Sequence, residues 1–327
     1  MPEDTVLIPY PEHSAKATSE LATRLIDGNL QGVTKESLNQ SLSQIGYYRL
    51  KGYWYPFLTP DSTNQAKHIL PFIKDTDFKE ILERYHFDQE LRVLVFSGIV
   101  PIEIFLKSYL ATELSKATGP FGYMNPAGLP NLTYYDWIDC QQKLKVRYSK
   151  SNAPYIKHFK ETYSNPLPPY WMLVGCLTYG ELKQYFFSGA SFEIQRHLAT
   201  KLHIVTPNSN PQFNGNAKIL SSWLEALRRA RNMVAHHERF WDTPNLTFTF
   251  PKHRSGSHAK TWWGNDWDFL RDTTGPAAFL TMENYLLKQI GDTEWQQKFI
   301  RLMNQYPNIP ITQMGFSEDW KEMRLWQ

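Results

Sequence analysis

Residues 227–242 read LRRARNMVAHHERFWD, with four arginines, one asparagine and two adjacent histidines in sixteen positions. Three residue types here can do chemistry together. Arginine offers a planar fork of donors that fits phosphate oxygens. Histidine gains and loses a proton near neutral pH. Asparagine can orient an imidazole or hold a hydroxyl. Arg231, Asn232 and His236 supply all three within six positions. RNA brings its own nucleophile, the 2′-hydroxyl. Cleaving it requires a base, an acid and a cation near the developing charge, and no metal. The same residues have a plainer reading, since basic side chains near a helix C-terminus favour the helix dipole without further function.

The element that must position them reads as a helix from about Ala217 to Phe240. At about 100° per residue, Leu220, Trp223, Leu224, Ala230 and Val234 fall within about 60° of Leu227 and form a buried stripe. Glu225, Arg229, Asn232 and His236 gather opposite. Asn232 and His236 lie four apart, so their side chains can meet. Arg231 sits at one edge of the apolar stripe and His237 at the other, so Arg231 must reach along the surface with its aliphatic stem.

The rest of the chain reads as more helices. Residues 15–32 and a segment opening at Thr34 or Ser37 have helical periodicity, with Leu38, Leu42 and Ile45 as the second stripe. GYYRLKGYWYPFLTP, between them and the first long helix, reads as an extended or irregular aromatic segment. Residues 77–116 form that long helix, bent at Pro101. Residues 133–163 give one or two helices, WMLVGCLTYGELKQYFFSG another, and 276–290 and 293–305 the last two. LTFTFPKH alternates and reads as a short strand. The fold class is mainly α: a helical bundle with a small N-terminal helical and aromatic extension and little strand. The domain division is 1–76 for that extension and 77–327 for the helical domain that carries the motif.

Composition narrows the class. The 327 residues are 42% apolar and 20% charged, as in a globular protein with a real core. A net charge of +3 is too small to demand a nucleic-acid partner and permits one where the charge clusters. Cys140 and Cys176 make neither a disulfide framework nor a zinc set, which points to a reducing compartment. The N-terminal residues lack a signal-peptide pattern, and apolar windows are interrupted by Ser, Gly, Pro and Glu. A soluble, cytoplasmic protein with no membrane partner is expected.

Other candidates carry less chemistry. Arg196 and His203 repeat an arginine–histidine spacing without the asparagine. Asp266 and Asp268 form an acidic pair better suited to a loop or cap than to a metal. YYRLKGYWY can stack RNA bases beside Arg49 and Lys51, or simply pack. Arg228 and Arg229 are further cations within reach of an RNA backbone. There is no Gly-rich phosphate loop, no zinc-spaced Cys/His set and no Gly-x-Ser-x-Gly.

RNMVAHHERFWD resembles the signature of the abortive-infection proteins of the AbiD and AbiF group, within the HEPN superfamily. Four further segments resemble that family in order: IGYYRLKGYWYPF (45–57), YHFDQELRVLVFSGIVPIEIFLKS (85–108), LPPYWMLVGCLTYGELKQYF (167–186) and MGFSEDWKEMRLW (314–326). The resemblance implies a helical HEPN fold and a metal-independent endoribonuclease toxin without cofactor, used against phage. Carried over, Arg231 and His236 become the catalytic pair and Asn232 the polar residue after the arginine. His237 also satisfies the family's spacing, with five residues between; His236 is preferred because it shares a face with Asn232, and His237 is expected to support the site by packing or bonding locally. Glu103 occupies the family's Ile-Glu position and is expected to pair with an arginine of the motif. Lys107 departs from the family's arginine. The implied partners are RNA, as substrate and as a regulatory small RNA, and a second copy of the chain. The homodimer has a geometric reason: His236 and His237 project about 100° apart and are poorly placed to act together as base and acid, a need that a second copy of His236 meets. An RNA-binding protein of the same fold without catalysis is the alternative.

Overall fold

The computed structural model describes residues 16–59, 71–205, 215–244, 246–249 and 274–327. Twelve α-helical segments run through them, and among the described residues no strand forms. The chain divides into two compact units, Met1–Phe87 and Asp88–Gln327, a division that falls within the long fourth helix.

The first unit holds α1 (Thr18–Asp27), α2 (Lys35–Ile45), α3 (Tyr47–Trp54) and the opening turns of α4 (Phe78–Thr118). Thr34 caps α2 as its sequence suggests, its hydroxyl accepting the Ser37 N–H at 3.2 Å. Gly46, at φ 95, then turns the chain directly into α3. The extended segment expected here is therefore a helix. Leu50, Tyr53 and Trp54 recur at helical spacing and bury themselves, so packing overrides the strand preference of their rings. Trp54 meets Tyr47 and Phe72 edge-on at 5.1 and 6.4 Å, and Tyr53 meets Tyr85 at 5.5 Å.

In the second unit α4 runs on through Pro101 without ending. By length and composition it is long and apolar enough to cross a membrane. It nevertheless carries Asp88, Arg92, Glu103 and Lys107, and packs Leu91, Val95, Ile99, Ile102, Leu106 and Leu110 into the protein core. There follow α5 (Tyr134–Lys150), α6 (Pro154–Thr162), α7 (Tyr170–Leu173), α8 (Tyr179–Glu181), α9 (Phe192–Lys201), α10 (Ala217–Ala235), α11 (Pro276–Gln289) and α12 (Glu294–Gln305). The single apolar helix expected from Trp171 onward is broken. Thr178 takes an extended conformation and forms a reciprocal cap with Glu181, and the chain then widens into a π-helical turn over Leu182–Phe187. Every residue of α11 from Pro276 to Leu287 is buried, which makes it the central helix of this unit.

The expected strand is also corrected. Residues 246–249 alternate buried and exposed side chains but pair with no strand, and the remainder of LTFTFPKH lies outside the described residues. Their backbone lies along α10 instead. The Thr249 N–H donates to Ser222 Oγ at 2.6 Å, Trp223 Nε1 donates to the Thr249 carbonyl at 3.0 Å, and Arg229 donates to the Thr247 carbonyl.

Candidate active site

Helix α10 forms for the reasons its periodicity gives. Asn216 caps its start, its side chain accepting the Ile219 N–H at 3.0 Å. Leu220, Trp223, Leu224, Leu227, Ala230 and Val234 are all buried on one face. Trp223 is wedged edge-on against Tyr285 of α11 at 5.9 Å.

The helix ends at Ala235, five residues before the expected Phe240. Its last carbonyls are closed by a left-handed turn. The His236 N–H donates to the Asn232 carbonyl at 2.9 Å, His237 to Val234 at 3.2 Å, and Glu238 to Met233 at 2.9 Å. His237 takes φ 60, a position usually given to glycine. That is a backbone role which residue type alone concealed.

This closure sets the positions of the motif residues. His236 caps the helix and is exposed, as are His237 and Glu238; Arg231 and Asn232 are half-buried on the last turn. The side chains of Asn232 and His236 share an edge of the helix but are not hydrogen-bonded to each other. Arg231 keeps its Nε out of solvent with no hydrogen-bond partner among the described residues.

The other three arginines are committed. Arg228 grips Glu225 through Nε at 3.0 Å and Nη2 at 2.6 Å, and Lys183 from the π-helical turn joins the same carboxylate at 2.9 Å. The Arg228 bonds, with help from Lys183, hold the Glu225 carboxyl down at about 2 despite its partial burial. Arg229 is spent on Thr247, and Arg239 pairs with Asp242 at 2.8 Å. Among the described residues, Arg231 is thus the arginine of this cluster with neither ion pair nor hydrogen bond. A guanidinium so placed is a donor without an acceptor.

Two supporting contacts lay outside the sequence reading. Asp88, fully buried, accepts the N–H groups of Phe240 at 3.1 Å and Trp241 at 2.8 Å, and forms an ion pair with Arg92 one turn on. It fastens the chain leaving the motif to α4. The signal was present in FDQELR, an acid and a base at i and i+4 on an otherwise apolar helix. Second, Glu103 pairs with Lys107 at 2.8 Å. The expected partner was an arginine of the motif; the lysine on the next turn is nearer at hand. Tyr179 is buried with its hydroxyl unbonded among the described residues. Burial, with the charges of Glu103 and Glu225 nearby, pushes it well above the usual tyrosine range.

The remaining candidates separate. Arg196 lies on α9, whereas His203 lies past its end at φ 52, so the two do not share a helix face. Arg49 and Lys51 are exposed on α3, in the first unit. Asp266 and Asp268 lie outside the described residues.

No curated protein and no solved structure matches the chain. A family model described as Abi-like protein matches residues 40–242, more than half of the chain. The match takes in α3, Asp88, the Thr178 cap with its π-helical turn, and the whole motif to Asp242; residues 314–326 lie beyond it. The chain belongs to the Abi-like protein family.

Proposed function

We propose that this chain is a metal-independent endoribonuclease of the HEPN type, a cytoplasmic toxin of phage defence. Membership of the Abi-like family points to abortive infection as the setting. Two observations carry the chemistry, both at the end of α10: the imidazole of His236 is exposed, and on the preceding turn the half-buried Arg231 has a buried Nε without a hydrogen-bond partner among the described residues. Arg231 binds the non-bridging oxygens of the scissile phosphate. His236 takes the proton from the 2′-hydroxyl, or gives one to the departing 5′-oxygen, and Asn232 holds the imidazole or the ribose once substrate is bound. The new bond is 2′-oxygen to phosphorus and the broken bond is phosphorus to 5′-oxygen. The products carry a 2′,3′-cyclic phosphate and a 5′-hydroxyl.

Both a base and an acid are needed, and the second imidazole is assigned to a second copy of the chain. The face we assign to that contact is on helix α4. Helix α4 exposes Val93, Phe96, Val100 and Ile104 at spacings of three and four, with Val93 at 68% and Ile104 at 61% exposure. Four large apolar side chains in one stripe are unusual on a monomer.

The alternative, an RNA-binding protein without catalysis, is favoured by one feature: the side chains of Asn232 and His236 are not hydrogen-bonded to each other. Expressing Arg231→Ala and His236→Ala in cells separates the two. Relief of growth arrest, with loss of cyclic-phosphate RNA ends, supports the nuclease. Persistence of both with either variant rejects it.

A further inference from the structure

Helix α3 buries Leu50, Tyr53 and Trp54, packs half-buried Tyr47 edge-on against Trp54, and turns Tyr48 outward. Tyr48 is 77% exposed and Tyr55, which starts the following 3₁₀ turn, is 64% exposed. With Lys51 between them these residues fall at i, i+3 and i+7, one continuous helix face, from which exposed Arg49 is rotated by about 100° from Tyr48. Two rings held in water, when others of the same segment pack inward, are a surface kept for a partner. Along the sequence, the charge beside them is of one sign. No acidic residue occurs from Ser37 to Pro60, while Arg49 and Lys51 do.

From this arrangement we propose that the α3 face is a single-stranded RNA platform, separate from the motif, on which bases stack on Tyr48 and Tyr55 while Lys51 and Arg49 meet the phosphates. Aromatic rings accept any base, because each has a π face, and the cations add sequence-independent attraction. A protein partner would match the rings equally well but gives no reason for the missing acids. The proposal rests on RNA being the ligand of this chain, and not on the chain cutting it. Its role is to hold single-stranded RNA on this unit.

The test uses the full chain in a His236→Ala background, so that RNA survives the measurement. Binding of a fluorescein-labelled oligoadenylate is followed by anisotropy at several salt concentrations. Tyr48→Ala and Tyr55→Ala should each weaken binding about fivefold or more, since stacking contributes that much per base. Tyr48→Phe and Tyr55→Phe keep the ring and should bind like the parent, which separates stacking from a folding defect. Lys51→Gln should lower the salt slope by about one. Alanine variants that bind as tightly as the parent, or a parent that ignores RNA even at low salt, would overturn the platform. Cleavage by the His236-containing Tyr48→Ala/Tyr55→Ala protein at saturating RNA reports on the nuclease independently: it should continue whether or not the platform exists.

Discussion

Removing the carboxylate of Asp88 should damage this protein more than any substitution within the motif itself. The side chain is fully buried, pairs with Arg92, and accepts two backbone N–H groups from the segment that follows His237. Asp88→Ala takes the ion-pair partner from a guanidinium whose side chain is only 7% exposed. Breaking a buried ion pair from one side costs about 3–5 kcal/mol. The two buried N–H groups lose their acceptor as well, at ~1–3 kcal/mol each, though water entering the gap relieves both losses together. A net cost of about 4 kcal/mol follows, a large part of the roughly 5–15 kcal/mol that holds a protein folded. Asp88→Asn keeps an oxygen for the N–H groups and loses the charge, so about 2 kcal/mol is expected. Urea unfolding followed by tryptophan fluorescence measures both. At a temperature where Asp88→Asn stays folded, its RNA cleavage should also fall, because the turn behind His236 is no longer pinned. An Asp88→Ala cost below about 1 kcal/mol, in the range of ordinary surface changes, would refute the reasoning.

Three further outcomes are expected. His237→Gly should raise stability by about 1 kcal/mol, because His237 sits at φ 60 where a side chain is strained; a loss in thermal unfolding would show that the closing turn does not depend on this backbone. Glu283 is fully buried on α11 with neither oxygen hydrogen-bonded among the described residues, closing over Gly98, where a Cβ would lie 2.5 Å from Oε1. Burial raises its pKa well above the usual carboxylate range. The folded-state value exceeds the unfolded one, so its contribution to stability is whole below the ordinary carboxylate pKa and is lost as pH rises through the folded value. Urea midpoints should therefore decline with rising pH in the parent and flatten in Glu283→Gln; identical slopes would contradict the burial argument. Val93→Glu with Ile104→Glu should convert a dimer to a monomer in sedimentation velocity and reduce cleavage with it, whereas a parent that is monomeric at micromolar concentration would remove α4 as the pairing face.

Helix α10 was legible in the sequence because one apolar stripe, from Leu220 to Val234, agrees with a single period and has its cap at Asn216. Its end was not, because the left-handed closing residue is a histidine and neither glycine nor proline marks the spot. Helix α3 was misread because Tyr and Trp favour strands locally, and only packing against Phe72 and Tyr85 makes them helical. Residues 246–249 show true alternation, but the partner is the flank of a helix and no sheet exists to receive it. Asp88 was visible as a residue and invisible as an anchor, since the groups it binds lie 152 positions away in sequence. Arg231 was legible from its place beside Asn232 and before His236, whereas the engagement of Arg228, Arg229 and Arg239 with other groups was visible only in the structure.

The most direct test of the proposed chemistry is to incubate the purified chain with RNA in EDTA and determine the ends produced. Fragments ending in 2′,3′-cyclic phosphate with 5′-hydroxyl partners, formed by the parent and absent with Arg231→Ala and with His236→Ala, are the expected result. Cleavage that disappears in EDTA and returns with magnesium, or that survives both substitutions, would contradict it.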